Sequence, residues 1–271
     1  VRKRPGMYIG STDQTGLNHL VVEIINNSVD EAMAGFCTRI LAVFHKEGRG
    51  VTIVDNGRGI PVDIKKEYGV SALELVMTKL HAGGKFGEGG YKISGGLHGV
   101  GASVVNALSS KMIVEVLRDG ELHCQEYETG KPKGSVKPVS QSQIVKPSFK
   151  ALADEILQIS KSGTITYFEP DSDIFGETSF GLKALNQQFK EYAYLNGGLQ
   201  FDIIDETSGE KTTYMYEGGI KQMVEDLNHD SEKLNNPPFH VHREENKVDV
   251  EIALQYSDTF SESVLTFANN I

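Results

Sequence analysis

The chain has 271 residues, a formal net charge of −10 and an isoelectric point near 5.3. That balance excludes stand-alone binding to nucleic acid through bulk charge, because phosphate contacts need Lys and Arg, so any role on DNA must come from partner domains or one local basic face. Cys37 and Cys124, the only cysteines, are too far apart for a zinc site and too few for a disulfide framework, and no stretch reaches ~18 uncharged apolar residues or shows a leader signature, so a cytoplasmic protein of a reducing compartment is expected. In chain order, Leu17, Leu20, Val21, Ile24, Ile25, Val29, Ala32 and Met33 recur at helical spacing; Thr15 or Gly16 can cap that helix, and Gly35 ends it. Residues 39–45 and 51–55 read as strands joined by a Gly-containing turn, and 71–81 as a helix. A glycine-dense segment follows and runs into a helix over 100–108. Residues 112–118 and 121–127 form a hairpin across Asp119-Gly120. Residues 131–150, rich in Lys, Ser, Gln and Pro, read as an exposed loop. Strands are expected at 164–168, 199–205 and 211–216, with a helix near 181–195. Residues 228–238 break the pattern, and 247–256 alternate strictly, as a strand of a second unit would.

This order predicts an α+β fold with helices on one side of a sheet. The boundary falls near residue 219, dividing the chain into 1–219 and 220–271. The chain starts on Val1 and stops just after a strand-like run, so it reads as a portion of a longer protein.

Residues 83–101 (GGKFGEGGYKISGGLHGVG) hold nine glycines in nineteen positions. Such backbone is entropically expensive in regular structure, but it suits a site where bare N–H groups close around a phosphate chain at a helix N-terminus. A flexible linker fits less well, because Phe86, Tyr91, Ile93, Leu97 and Val100 punctuate the segment. Two phosphate loops are excluded. No stretch supplies G-x-x-x-x-G-K-[ST], and Gly57-Arg58-Gly59 lacks the third glycine of a dinucleotide fingerprint.

Glu23, Asn27 and Asp30 share one helix face, with His19 one turn before Glu23. A carboxamide oxygen is a hard ligand for Mg²⁺, and a carboxylate can orient and deprotonate a water. On this helix alone, a solvated face of an ordinary amphipathic helix is the simpler account. Asp55-Asn56-Gly57-Arg58-Gly59-Ile60-Pro61 follows an apolar strand. An Asp there can accept from an exocyclic amino group, or the segment is a plain Asp-Asn-Gly turn.

Taken together, the motifs Glu23-Ile24-Ile25-Asn26-Asn27, Asp55 to Pro61 and residues 94–101 (SGGLHGVG) stand in an order that resembles the Bergerat-fold (GHKL) ATPases, an α/β sandwich. Residues 1–10 (VRKRPGMYIG), 80–86 (LHAGGKF) and 216–221 (YEGGIK) are similar to the ATPase subunits of the bacterial type IIA topoisomerases, closer to the gyrase branch than to topoisomerase IV. The resemblance implies ATP and Mg²⁺ as cofactors. Glu23 would be the general base, His19 its partner and Asn27 the Mg²⁺ ligand. Asp55 would read adenine, with Thr164 beside it around an ordered water, and Gly59, Ile60 and Pro61 would line the base. Tyr91 would contact the base from the lid. Lys85, Gly96 and the backbone of Leu97, His98, Gly99, Val100 and Gly101 would cradle the phosphates. Arg58, Pro61 and Arg118 would form the rim where aminocoumarin inhibitors bind.

The resemblance further implies an A2B2 heterotetramer with a second kind of subunit that carries the DNA-cleaving tyrosine. It implies ATP-dependent dimerisation with a second copy, double-stranded DNA handled by the holoenzyme, and the start of a ribosomal-S5-like transducer domain after residue 219. An N-terminal arm before Val1 and a γ-phosphate-sensing lysine beyond Ile271 are implied as well, so this stretch is expected to bind ATP better than it hydrolyses it. Asn26 departs from the family, which more often has Asp there; the position is expected to point off the Glu23–Asn27 face. A nucleotide-dependent clamp would share the three motifs, but residues 1–10 and 80–86 favour the topoisomerase reading; a histidine-kinase domain fits less well because a general-base Glu on the first helix is better suited to hydrolysis.

Overall fold

A computed structural model describes residues 1–46, 49–80, 101–246 and 248–268. Helix α1 (Gly6–Ile9) leads into α2 (Gln14–Met33). Strands β1 (Arg39–Phe44) and β2 (Val51–Asp55) follow, then the short pair β3 (Ile64–Lys65) and β4 (Val70–Ser71), and helices α3 (Ala72–Thr78) and α4 (Gly101–Ala107). Next come β5 (Ser109–Arg118), β6 (Glu121–Glu128), β7 (Lys131–Pro132) and β8 (Lys137–Val139). Helix α5 (Lys150–Ser160), β9 (Gly163–Pro170), α6 (Ser172–Phe175), α7 (Leu182–Leu195), β10 (Gln200–Asp205) and β11 (Lys211–Tyr214) complete the main body. Helix α8 (Gly219–Leu227) and the hairpin β12 (Phe239–Glu245) and β13 (Val248–Leu254) end it.

The main sheet runs β11-β10-β1-β2-β9-β5-β6-β7, with β8 also on β6. Every pairing in it is antiparallel except β1 with β10. Strand alternation sends side chains to opposite faces. Ile40, Ala42 and Phe44 enter the larger core, which α2 and α7 cover, while Leu41 and Val43 enter a smaller one. On β2 the same period puts Val51 and Ile53 on the α2 face, and Asp55 follows them onto it.

The expectation of helices on one side is corrected by α5. Its Ala153, Ile156 and Leu157 recur at i, i+3 and i+4 and pack into the smaller core on the far face. The expected exposed loop over 131–150 is corrected as well. It contains β7 and β8, and Ile144 and Phe149 are buried (5% and 2% exposed). Glu115, fully buried on β5, explains this. Its carboxylate accepts from the Ser142 hydroxyl and from the Gln143 N–H at 2.6 Å, so the segment is tied over the sheet. Burial in turn pushes the Glu115 carboxyl up.

Helix α2 is capped by Asp13, not by Thr15 or Gly16. Asp13 Oδ1 accepts from both of their N–H groups, at 2.8 and 3.3 Å. At the hairpin tip Asp119 and Gly120 both have positive φ (54° and 82°), the geometry a two-residue primed turn demands.

Candidate functional site

Three elements meet beneath α2: the strand ends of β2 and β9 and the first turn of α4. The register pairs Asp55 directly with Thr164. Ser28, on the sheet-facing side of α2, donates its hydroxyl to Asp55 Oδ2 at 2.8 Å, and the Gly57 N–H donates to Oδ1 at 2.9 Å. The carboxyl is 6% exposed, and this burial pushes it up from 3.8 to about 6 against the bonds from Ser28 and Gly57, which pull it down. A carboxylate offers about four lone-pair sites, so these two bonds leave it able to accept from another N–H donor.

Glu23 lies back along α2 from Ser28, and His19 Nε2 stands 3.0 Å from its Oε1. Asn27 Nδ2 donates to the Glu23 carbonyl at 3.1 Å, which leaves Asn27 Oδ1 as the acceptor of an exposed side chain. Asp30, expected on the same polar face, is buried instead at 7% exposure. Glu23 also faces α4: a Cβ built on Gly101 would collide with Glu23 Oε2 and stand 3.2 Å from Glu23 Cβ. Only glycine allows the helix to start this close to the carboxylate.

The Asp55–Pro61 turn is locked from several sides. Gly59 has φ +75°, and a Cβ there would sit 2.8 Å from Val116 Cγ1. Arg118 Nη1 donates to the Gly59 carbonyl at 3.0 Å. Arg58 grips Glu31 through Nε and Nη2 at 3.0 and 2.8 Å, and its guanidinium lies 4.0 Å over the Phe36 ring. Ile60 and Pro61 continue the turn, half-buried.

The structure therefore gathers His19, Glu23, Asn27, Asp55, Arg58, Gly59, Ile60, Pro61, Gly101, Arg118 and Thr164 around one end of the sheet. Lys85, Tyr91, Gly96, Leu97, His98, Gly99 and Val100 lie outside the described residues. Sequence reasoning missed Ser28, Glu31 and Asn56. Asn56 is fully buried and accepts from the Thr38 and Arg39 N–H groups at 2.9 Å each, so it welds the motif to β1. The spacing of Ser28 and Glu31, on the turns of α2 beside Asn27, was a usable signal only once β2 was known to lie beneath that helix. Among the described residues no cluster of three or more His, Cys, Asp or Glu could hold a metal ion. No helix among them is long and apolar enough to cross a membrane.

The comparisons with known proteins agree with this geometry. Residues 12–139 match the family described as histidine kinase-, DNA gyrase B- and HSP90-like ATPase, and residues 219–271 match the DNA gyrase B family. The DNA gyrase B protein of Halalkalibacterium halodurans is 49% identical over 100% of this chain and 40% of its own length. That of Staphylococcus aureus is 46% identical, with the same coverage. The chain thus spans 40% of the length of these curated relatives. A crystal structure of the 43K ATPase domain of Thermus thermophilus gyrase B, in complex with an aminocoumarin, superposes with a TM-score of 0.84 at 34% identity, over 100% of this chain and 65% of that one. The capped α2, the Asp55 turn and the glycine-started α4, joined by a matching gyrase B segment from residue 219, place the chain in the DNA gyrase B family of GHKL ATPases.

Proposed function

We propose that this chain is the ATP-binding and ATP-hydrolysing region of a DNA gyrase B protein, and that ATP turnover at the α2 site closes a dimer gate to drive DNA supercoiling. The observation that carries this reading is that one helix, α2, holds the buried, doubly hydrogen-bonded Asp55 through Ser28 and also bears the His19–Glu23 couple. Asp55 accepts from the adenine amino group, with Thr164 opposite it and Gly59, Ile60 and Pro61 flanking the base. Glu23 Oε takes the proton of a water whose oxygen attacks the γ-phosphorus, and His19 holds that carboxylate in line. The bond from the γ-phosphorus to the bridging oxygen breaks, leaving ADP and phosphate. Asn27 Oδ1, its amide nitrogen already engaged, suits a hard divalent cation that takes its other ligands from phosphate and water. Mg²⁺ held there would neutralise charge on the phosphates. Lys85, Gly96, Leu97, His98, Gly99, Val100 and Tyr91 would complete the phosphate and base contacts.

The same reading carries the partners: the gyrase A protein in an A2B2 assembly, a second gyrase B copy, and double-stranded DNA. It also carries aminocoumarin binding on the rim formed by Arg58, Pro61 and Arg118, whose arginine side chains are 44% and 34% exposed. The unit boundary at residue 219 belongs to the proposal as well; α8 begins there. Calorimetric titration with a non-hydrolysable ATP analogue, with and without Mg²⁺, tests the site. Binding that strengthens with Mg²⁺ is expected, and no binding in either condition overturns the reading. The full-length protein with its gyrase A partner should introduce negative supercoils into relaxed circles; unlinking of catenanes alone would point to topoisomerase IV.

Gly101→Ala is expected to slow hydrolysis by roughly a hundredfold, since a displacement of about 1 Å at a catalytic group costs that much. The three atoms nearest the added methyl all belong to Glu23, its carboxylate foremost. A hydrolysis rate within a few-fold of the parent, measured by phosphate release in the full-length protein, would show that Glu23 need not sit where it does.

A further inference from the structure

Residues 26, 27 and 28 of α2 point in three directions, and the two outer ones are anchored. Ser28 (2% exposed) is bonded to Asp55 on β2. Asn26 (8% exposed) accepts at Oδ1 from the Tyr192 hydroxyl of α7 at 2.8 Å, and that hydroxyl itself accepts from Gln188 Nε2 at 3.1 Å. The Tyr192 ring is 2% exposed and stacks on Phe201 of β10 at 6.3 Å between centroids. Burial pushes the phenol up to about 12, so it stays a donor throughout the working pH range. Between these anchors sits the exposed Asn27, with Glu23 one turn back on the same face.

A helix held by a single buried bond can still roll about its axis. Two bonds to different elements, on flanks roughly 160° apart at about 100° per residue, fix both roll and slide. The Ser28 anchor registers α2 against the Asp55 end of the site. The Tyr192 anchor sets the direction in which Glu23 and Asn27 face.

We infer that the buried Asn26–Tyr192 hydrogen bond is a positioning device for ATP hydrolysis, with Tyr192 the positioning residue that aims Glu23 and Asn27 at the phosphates. The inference rests on the proposed function. The amide at position 26 suits this task, since it accepts from the phenol without adding a buried charge beside Glu23 and Asp30.

The test is a double-variant cycle in the full-length protein that carries this chain, using Tyr192→Phe, Asn26→Leu and the two combined. ATP hydrolysis, affinity for a non-hydrolysable ATP analogue and melting temperature are read for each. Each single variant is expected to lower kcat about tenfold while analogue affinity stays within about threefold, and the double variant is expected to lose no more than either single. The double variant leaves neither partner of the bond unpaired, so it remains readable if a single variant unfolds. There, a tenfold loss of kcat with near-parent melting supports the inference, and a parental kcat overturns it. Single effects that multiply in the double variant, or a fall in kcat that only tracks loss of melting temperature, also overturn it. A parent that hydrolyses no ATP brings down the proposed function and this inference together. A hydrolysing parent with unaffected variants brings down the inference alone.

Discussion

Asp55→Asn is expected to abolish nucleotide binding, weakening it at least a hundredfold, while leaving the protein as stable as the parent or more so at pH 8. Both effects come from one feature, a carboxylate held in a 6%-exposed site. For binding, the amide turns one acceptor oxygen into a donor. Oδ1 can still accept from the Gly57 N–H, so Nδ2 takes the other place and meets an adenine amino group donor to donor. A buried polar mismatch of that kind discriminates by several powers of ten in sites built to read a hydrogen bond.

For stability, the folded-state carboxyl is raised from 3.8 to about 6. Its contribution is therefore fully present below about pH 4 and is lost as pH rises through about 6. The ceiling on that loss is about 3 kcal/mol, since each tenfold change in proton affinity is worth about 1.4 kcal/mol. The variant has no such titration. Thermal melts at pH 5 and pH 8 should show the parent losing ground to Asp55→Asn as pH climbs. A variant that melts well below the parent at pH 8 would mean that the Ser28 and Gly57 bonds outweigh the burial of charge. Retained analogue affinity in the calorimeter would mean that adenine is read elsewhere.

Glu23→Gln is expected to separate hydrolysis from binding. The amide keeps the size of the side chain and a carbonyl oxygen for His19, so α2 is undisturbed, but it cannot take a proton from water. General-base loss typically removes a factor of about 10² to 10⁴ from the rate. Analogue affinity should stay within about threefold, because in the proposed mechanism Glu23 meets the attacking water, whereas adenine is assigned to the Asp55 end of the site. The comparison belongs in the full-length protein, read as kcat against analogue affinity. A rate within fivefold of the parent would remove Glu23 from the general-base role, and a joint collapse of rate and affinity would make it a structural residue.

The fold was legible where periodicity carried it. Helix α2, β1, β2, the Asp119-Gly120 hairpin, α7, β10 and β13 stand within a few residues of their expected places. Helix α5 had a readable i, i+3, i+4 stripe in Ala153, Ile156 and Leu157, but the Lys- and Pro-rich composition just before it favoured a loop, and what overrode that composition was Glu115, on a strand far away in sequence. Helix α8 and β12 were missed for a related reason. Their turn-rich flanks at 217–219 and 228–238 mask short elements. At the site, residue types and spacing marked Glu23, Asn27 and Asp55 as candidates that a solvated helix face and a plain turn explained equally simply, and it was the resemblance to the GHKL ATPases that assigned them, and Arg58, to a ligand. Residue types and spacing could not disclose the residues that meet each other. Ser28, Glu31 and Asn56 contribute through contacts with residues 17 to 27 positions away, and one sequence contains nothing that pairs them. Asn26 was expected to point off the Glu23–Asn27 face; it does, and the reason is Tyr192, 166 positions downstream.

The parallel pairing of β1 with β10 sets the order in which this protein can come into being. Arg39 sits beside Gln200 in the finished sheet, so on a ribosome adding about 5–20 residues per second, β1 waits on the order of 10–30 s for its neighbour. The other flank of β2 waits too, since Asp55 lies against Thr164. Until β9 and β10 emerge, the smaller core that Leu41, Val43 and Val54 enter lacks Ile165 and Ile204, and the strand edges of the β1–β2 pair stand open, a surface suited to chaperone capture or to mispairing with another nascent chain. A chain arrested before residue 164 would already carry Glu23, Asn27 and the Asp55 turn, and yet lack β9, β10 and the Tyr192 helix that hold β2, β1 and α2 in place.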